Sequence, residues 1–181
     1  MARGKNSPTR KTGAMNLSAR LLVLTIAFVM LAEVLIWTPS IARYRKDFID
    51  DYIAKAYLSM LALDSMPTSA PDRQLEAELL GQVKARAIIL NRPTNRNLMA
   101  GGDMPPAVDL TVDMRYQSFV GYVFDAFETL AMTENRVIRA IGMPPGNPNV
   151  TIEVLFDEQI MRDSMLGFST RILNLSIIIS L

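Results

Sequence analysis

RVIRAIGMPPGNPNVTIEVLFD, residues 136–157, decides how this chain folds. Two apolar-rich runs, 136–142 and 150–157, flank MPPGNPN, whose Pro, Gly and Asn content marks a hairpin loop. With Gly142 facing Val150, Ile138 meets Val154 and Ala140 meets Ile152, which gives one apolar face. On the opposite face Val137 meets Leu155, Ile141 meets Thr151, and Arg139 falls opposite Glu153. A charged cross-strand pair of this kind stabilises by roughly 0.2–1 kcal/mol. A slip of one residue would exchange the two faces.

Asp157 then stands where it can cap a final helix. Apolar residues at Ile160, Met161, Met165 and Phe168 lead that helix into the run ILNLSIIISL, 172–181. Such a run belongs in hydrocarbon, yet at about 1.5 Å per helical residue it covers only half of a bilayer. The expectation is the outer half of a second spanning helix, with the chain as the front end of a longer polypeptide. Arg171 at the boundary has a side chain long enough to snorkel to headgroups.

Upstream of the hairpin, SFVGYVFDAFETLAM (118–132) has Phe119, Val123, Phe127 and Leu130 on one helical stripe. KARAIILN (84–91) and residues 97–100 read as strands around the turn-rich RPTNR, and GGDMPPAVDL (101–110) reads as loop. A short helix is expected from Pro71 to about Gln82, its early turns favoured by Asp72, Glu76 and Glu78. Before it, residues 41–60 repeat Ile41, Tyr44, Phe48, Tyr52, Ala56 and Met60 at helical spacing. Arg43 with Asp47, Lys46 with Asp50, and Asp51 with Lys55 are i,i+4 partners, so this charge cluster reads as an ion-paired solvated face. Thr38-Pro39 resembles an N-cap followed by proline at the first helical position.

The longest apolar run, LLVLTIAFVMLAEVLIW (21–37), has the length of a short membrane span, with Trp37 as an interfacial anchor. Residues 1–20 carry Arg3, Lys5, Arg10, Lys11 and Arg20 and no acid. That tail is expected to be disordered and cytoplasmic, which places Thr38 onward outside. Glu33 is close enough to Trp37 to reach headgroups, with a functional intramembrane acid as the sharper alternative. Cleavage after Ala42 is a further alternative, but the apolar run exceeds a signal-peptide core and contains an acid.

Half of the residues are hydrophobic, the formal charge is +1, and neither cysteine nor histidine occurs. Disulfides, thiolate or imidazole metal sites, and Cys or His catalysis are therefore excluded within these residues. The charge gives no reason to expect a nucleic-acid partner. Gly101-Gly102 lacks phosphate-loop spacing, and Asp103, Asp109 and Asp113 lack the EF-hand pattern, so turn and cap roles are expected. The twelve methionines could suggest copper(I), but Met161 and Met165 continue an apolar stripe and read as packing. Arg86 and Arg139 interrupt β-like runs and could grip a carboxylate or phosphate ligand with two parallel bonds, Arg139 having Glu153 as its structural alternative. Arg115 and Tyr116 could line the same cavity.

PSIARYRKDFIDDYIAKAYLSMLAL, RQLEAELL, VIRAIGMP and TRILNLSIIISL resemble the N-terminal input region of membrane-bound sensor histidine kinases common in alphaproteobacteria. The likeness extends from Asn16 onward and rests on segment order and local wording. It implies an α+β protein anchored in the bacterial inner membrane. In that scheme 1–20 is a basic cytoplasmic tail, 21–37 the first transmembrane helix, 38–168 a periplasmic sensor domain of PAS-like Cache type, and 169–181 the start of a second transmembrane helix. The sheet is expected to be small and antiparallel, and the protein dimeric, with Tyr44, Phe48, Tyr52, Met161, Met165 and Phe168 on the dimer and signalling helices. The resemblance implies no cofactor for these residues; ATP, Mg²⁺ and a response regulator belong to a kinase core that lies outside them. A ligand, lipid or envelope stress would be the stimulus. Alternatives are a bitopic or secreted binding or scaffold protein, or the input region of a chemoreceptor or cyclase.

Overall fold

The computed structural model describes residues 16–65, 73–93, 97–101 and 107–180. Residues 1–15 of the basic tail, Pro71, Asp72, Gly102 and Asp103 lie outside them, whereas residues 17–20, expected to belong to a disordered tail, open the first helix. The chain divides between Ile36 and Trp37. Ahead of that point lies the apolar stretch of helix α1 (Leu17–Asp64), with an 18-residue window of mean hydropathy 2.4 and none of its side chains buried. It is the one helix among the described residues long and apolar enough to cross a membrane. Within it the Thr25 hydroxyl bonds back to the helix, Oγ1 donating to Leu21 O at 2.9 Å.

α1 corrects one expectation. No cap interrupts it at Thr38: the helix continues through Pro39. Proline in a helix interior removes one hydrogen bond and costs about 3 kcal/mol. Burial begins immediately afterwards, with Ile41 and Ala42 fully enclosed, and the packing of that face opposes the cost. Of the expected ion pairs, Lys46–Asp50 and Asp51–Lys55 close, and Arg43–Asp47 does not.

The unit from Trp37 onward is an α+β fold. After α2 (Arg73–Val83) come β1 (Ala87–Asn91), β2 (Leu98–Gly101), β3 (Leu110–Asp113), α3 (Phe119–Ala131), β4 (Val137–Gly142), β5 (Thr151–Asp157) and α4 (Glu158–Ser180). α2 ends with Lys84 at φ 55°, Lys84 N–H on Gly81 O and Ala85 N–H on Leu80 O, a left-handed stop that normally takes glycine. The spatial strand order is β2-β1-β5-β4-β3.

This sheet is mixed, not antiparallel. β3 falls partly in the stretch read as loop and runs parallel to β4, joined to it through α3. Asp109 fixes that pairing: its N–H donates to Val137 O at 3.0 Å and its Oδ2 accepts from Val137 N–H at 2.8 Å. The hairpin register also differs from the expected one, with Gly142 opposite Ile152, Ala140 opposite Val154 and Arg139 opposite Leu155. Two successive turns, Asn147 N–H on Pro144 O and Val150 N–H on Asn147 O, lengthen the loop. Because the slip is two residues, the faces are unchanged.

One sheet face is therefore apolar across all five strands: Ala100, Ile88, Val154, Ala140 and Val112 stand in one row. The buried stripe of α1, Ile49, Ile53 and Ala56, joins it in a single core with Met161 and Met165 of α4. Tyr52 meets Phe156 at 4.7 Å between centroids, and Tyr44 stacks on Phe168 at 4.4 Å. Of the residues expected on the dimer and signalling helices, Tyr52, Met161 and Met165 are buried in this core, and Tyr44, Phe48 and Phe168 pack against it partly exposed. Asp157 ends β5 rather than capping α4: it accepts from Arg86 and Asn135, and Asn135 Oδ1 accepts the Gln159 N–H at 3.2 Å.

Gly142 lies where α1 comes nearest the sheet, and a Cβ there would run into Ile53 Cδ1. Gly142→Ala should lower unfolding free energy by about 1–3 kcal/mol. Adding Ile53→Val, which removes the obstructing methyl, should return part of that loss in the same urea titration.

Candidate functional site

The β3 edge of the sheet borders a cavity of about 320 Å³. Its walls come from β3, the connection after it, the inner face of α3, and two arginines from elsewhere, Arg45 of α1 and Arg136 just before β4. α3 is placed by its N-cap, Ser118, whose hydroxyl accepts from Gly121 N–H at 3.2 Å. Its inner face then presents Tyr122, Ala126 and Thr129 to the core, with Asp125 beside them.

Arg45 stands out. It occupies the stripe otherwise made of Ile41, Ala42, Ile49 and Tyr52, and its side chain is 1% exposed. Nε donates to Thr129 Oγ1 at 3.2 Å and Nη1 to Asp125 Oδ2 at 3.3 Å. Burial pulls its pKa below the ordinary value, opposed by the carboxylates of Asp125, Glu158 and Glu128. Asp125 Oδ2 also accepts from Gln117 Nε2, while Gln117 Oε1 is shut off from solvent without a donor.

Arg136 is held more firmly. Nε and Nη2 donate to Glu158 Oε2 and Oε1 at 2.6 and 3.0 Å, and Nη1 donates to Glu128 Oε1 at 2.8 Å. The hydrogen bonds to Glu158 push the guanidinium pKa up, against a smaller opposing effect of burial. Glu158 is the first residue of α4, its side chain 2% exposed. One arginine therefore ties the cavity wall to the start of the C-terminal helix.

The residues singled out in the sequence distribute differently. Arg139 pairs with Glu153, Nε to Oε2 at 2.8 Å, diagonally rather than directly opposite, and Asn91 Nδ2 bonds Glu153 Oε1 at 2.7 Å. Arg86 pairs with Asp157 at 2.8 Å. Neither arginine lines the cavity. Arg115 grips Asp113 with Nε and Nη2 at 2.9 and 2.7 Å and lies 5.3 Å from the Tyr116 ring centre. Asp113 and Tyr116 do line the cavity. Arg45, Gln117, Asp125, Glu128, Thr129 and Arg136 were not anticipated. The signal for Arg45 was present: it is a cation on the apolar stripe, with no acid among the i,i+4 pairs.

Comparison with protein-family models, curated proteins and solved structures finds no match.

Removing Arg136 strands a buried carboxylate. Arg136→Ala should destabilise by about 3–5 kcal/mol, and Arg136→Ala with Glu158→Ala by much less; thermal unfolding of the four proteins in the cycle decides. Asp113 behaves differently. Its hydrogen bonds from Arg115 hold its pKa below the ordinary carboxylate range. The stabilisation from that pair is present above the unfolded pKa and is lost as pH falls through the folded one. Arg115→Ala should return the Asp113 carboxyl titration, followed by NMR, to the ordinary range.

Proposed function

We propose that the chain is the extracytoplasmic sensing and transmembrane-signalling portion of a two-component sensor histidine kinase, with a PAS-like Cache-type domain outside the inner membrane. A phosphoacceptor histidine would lie elsewhere in such a protein, since none occurs in these residues.

One observation carries this reading. β5 passes into α4 without a linking residue, Asp157 ending the strand and Glu158 opening the helix. A movement of the last strand must therefore appear at the root of the helix. α4 carries the exposed apolar residues Leu173, Leu175, Ile177 and Ile178 toward its far end.

The physical mechanism is a two-state element. A stimulus that favours one arrangement of the cavity wall shifts its population. The Arg136–Glu158 clamp passes the change to α4 as a small tilt, rotation or piston displacement. The cavity alone would serve a bitopic or secreted binding protein or another receptor class equally well; the direct strand-to-helix joint favours signalling.

The reading is tested by joining residue 181 to the linker and kinase core of a characterised two-pass receptor, then inserting one to four alanines after Arg171. Each insertion rotates the downstream helix by about 100°. Phosphotransfer that rises and falls with helical period is expected. A flat response, or a phosphatase reporter joined at Asn91 that proves cytosolic, removes the proposal.

A further inference from the structure

α3 is apolar on two sides. Tyr122 and Ala126 are buried on the inner one, yet Phe119, Val120, Phe124 and Phe127 are between 41% and 71% exposed. The only charged residues of the helix, Asp125 and Glu128, are both paired with arginines, Arg45 and Arg136. An exposed apolar face of this kind, aromatic and without charge, marks an interaction surface.

Two contacts fix which way that face points. Phe127 meets the Trp37 ring edge to face, 5.6 Å between centroids. Asp125 and Thr129 reach Arg45 instead. At about 100° per residue, both of these side chains leave α3 about 160° away from Phe127. Trp37 and Arg45 are in turn about 12 Å apart along α1, the width of a helix with its side chains. α3 therefore lies across α1, its polar flank at the level of Arg45 and its Phe127 flank at the level of Trp37. Val120, Phe124 and Ala131 fall within about 60° of Phe127, on the same flank. Trp37 directly follows Ile36, where the apolar stretch ends.

Resting on the reading of that stretch as a membrane span with Trp37 at its outer boundary, we infer that α3 is an interfacial helix seated on the lipid surface. Val120, Phe124 and Phe127 sit among the headgroups and upper acyl chains. Lipid is the occupant, rather than a second copy, because the face is continuous through Trp37 with the residues that enter the bilayer. Aromatic rings favour that boundary, and binding grows with the apolar area buried in it. With both acids of the helix engaged by arginines, little opposes approach to anionic headgroups.

The chain has no cysteine, so single nitroxide labels can be placed by Val120→Cys or Phe124→Cys in the full chain. Nanodiscs of phosphatidylethanolamine and phosphatidylglycerol hold the protein. Val29→Cys, in the apolar stretch, is the lipid reference. Lys55→Cys, half exposed and about 27 Å along α1 from Trp37, is the aqueous one. Power saturation compares collision with oxygen, which concentrates in lipid, and with a water-soluble nickel chelate. The oxygen-to-nickel ratio at 120 and 124 should exceed that at 55 by at least about threefold. Both positions are exposed, so either label serves if the other disturbs the helix. Ratios equal to that at 55, with 29 in lipid, overturn the inference and leave the span standing. Exclusion of both reagents with spin–spin broadening assigns the face to a second copy and also overturns it. An aqueous label at 29 removes the membrane span and the inference with it. Lipid contact at 120 and 124 with a flat response to the alanine insertions supports the inference and removes the signalling reading, so the two fail separately.

Discussion

Placing a guanidinium on the apolar stripe of α1 constrains everything around the β3 edge. The Arg45 side chain is only 1% exposed, and the elements packed over it supply acceptors. α3 answers with Asp125 and Thr129, four residues apart on one face, and this fixes which side of that amphipathic helix turns inward. Its outward side then shows Val120 and Phe124 to solvent. Of the stripe that periodicity singles out, Val123 and Leu130 pack against the core, while Phe119 and Phe127 are exposed.

The same logic explains what the sequence revealed and what it hid. The hairpin, its apolar face and the final helix were legible because alternation and helical spacing are local properties. The Arg139–Glu153 attraction was visible for the same reason, and it survives the two-residue register shift as a diagonal contact. β3 was hidden because LTVD is only four residues long and pairs in parallel with a strand beyond a helix. Parallel pairing has no hairpin signature, and its register depends on Asp109, which reads in sequence as an ordinary turn residue. Pro39 misled in the other direction. A proline after threonine is a strong helix-start signal, but tertiary burial of Ile41 and Ala42 sustains a continuous helix through it.

The cavity was less legible than the fold, for a related reason. Its residues come from α1, β3, α3 and the approach to β4, separated by up to 91 positions, and nothing local joins them. Arginines that interrupt strands attract notice, but Arg86 and Arg139 face partners already present in the sheet and its margins. A cation hidden on a helix stripe becomes conspicuous only when its neighbours have been paired off and it remains.

The cavity and α4 are linked through shared carboxylates. Glu128 touches Arg136, Arg136 holds Glu158, and the charges of Glu128 and Glu158 are also felt by Arg45. The pieces are unequal in strength: the Arg136–Glu158 pair is bidentate and enclosed, whereas the bonds of Arg45 are long and Glu128 is half exposed. A perturbation inside the cavity therefore moves the weak members first, leaving the clamp at the start of α4 intact but rebalanced. The proposed sensing role would require that order of strengths, since a modest input can shift the loose contacts and not the buried pair.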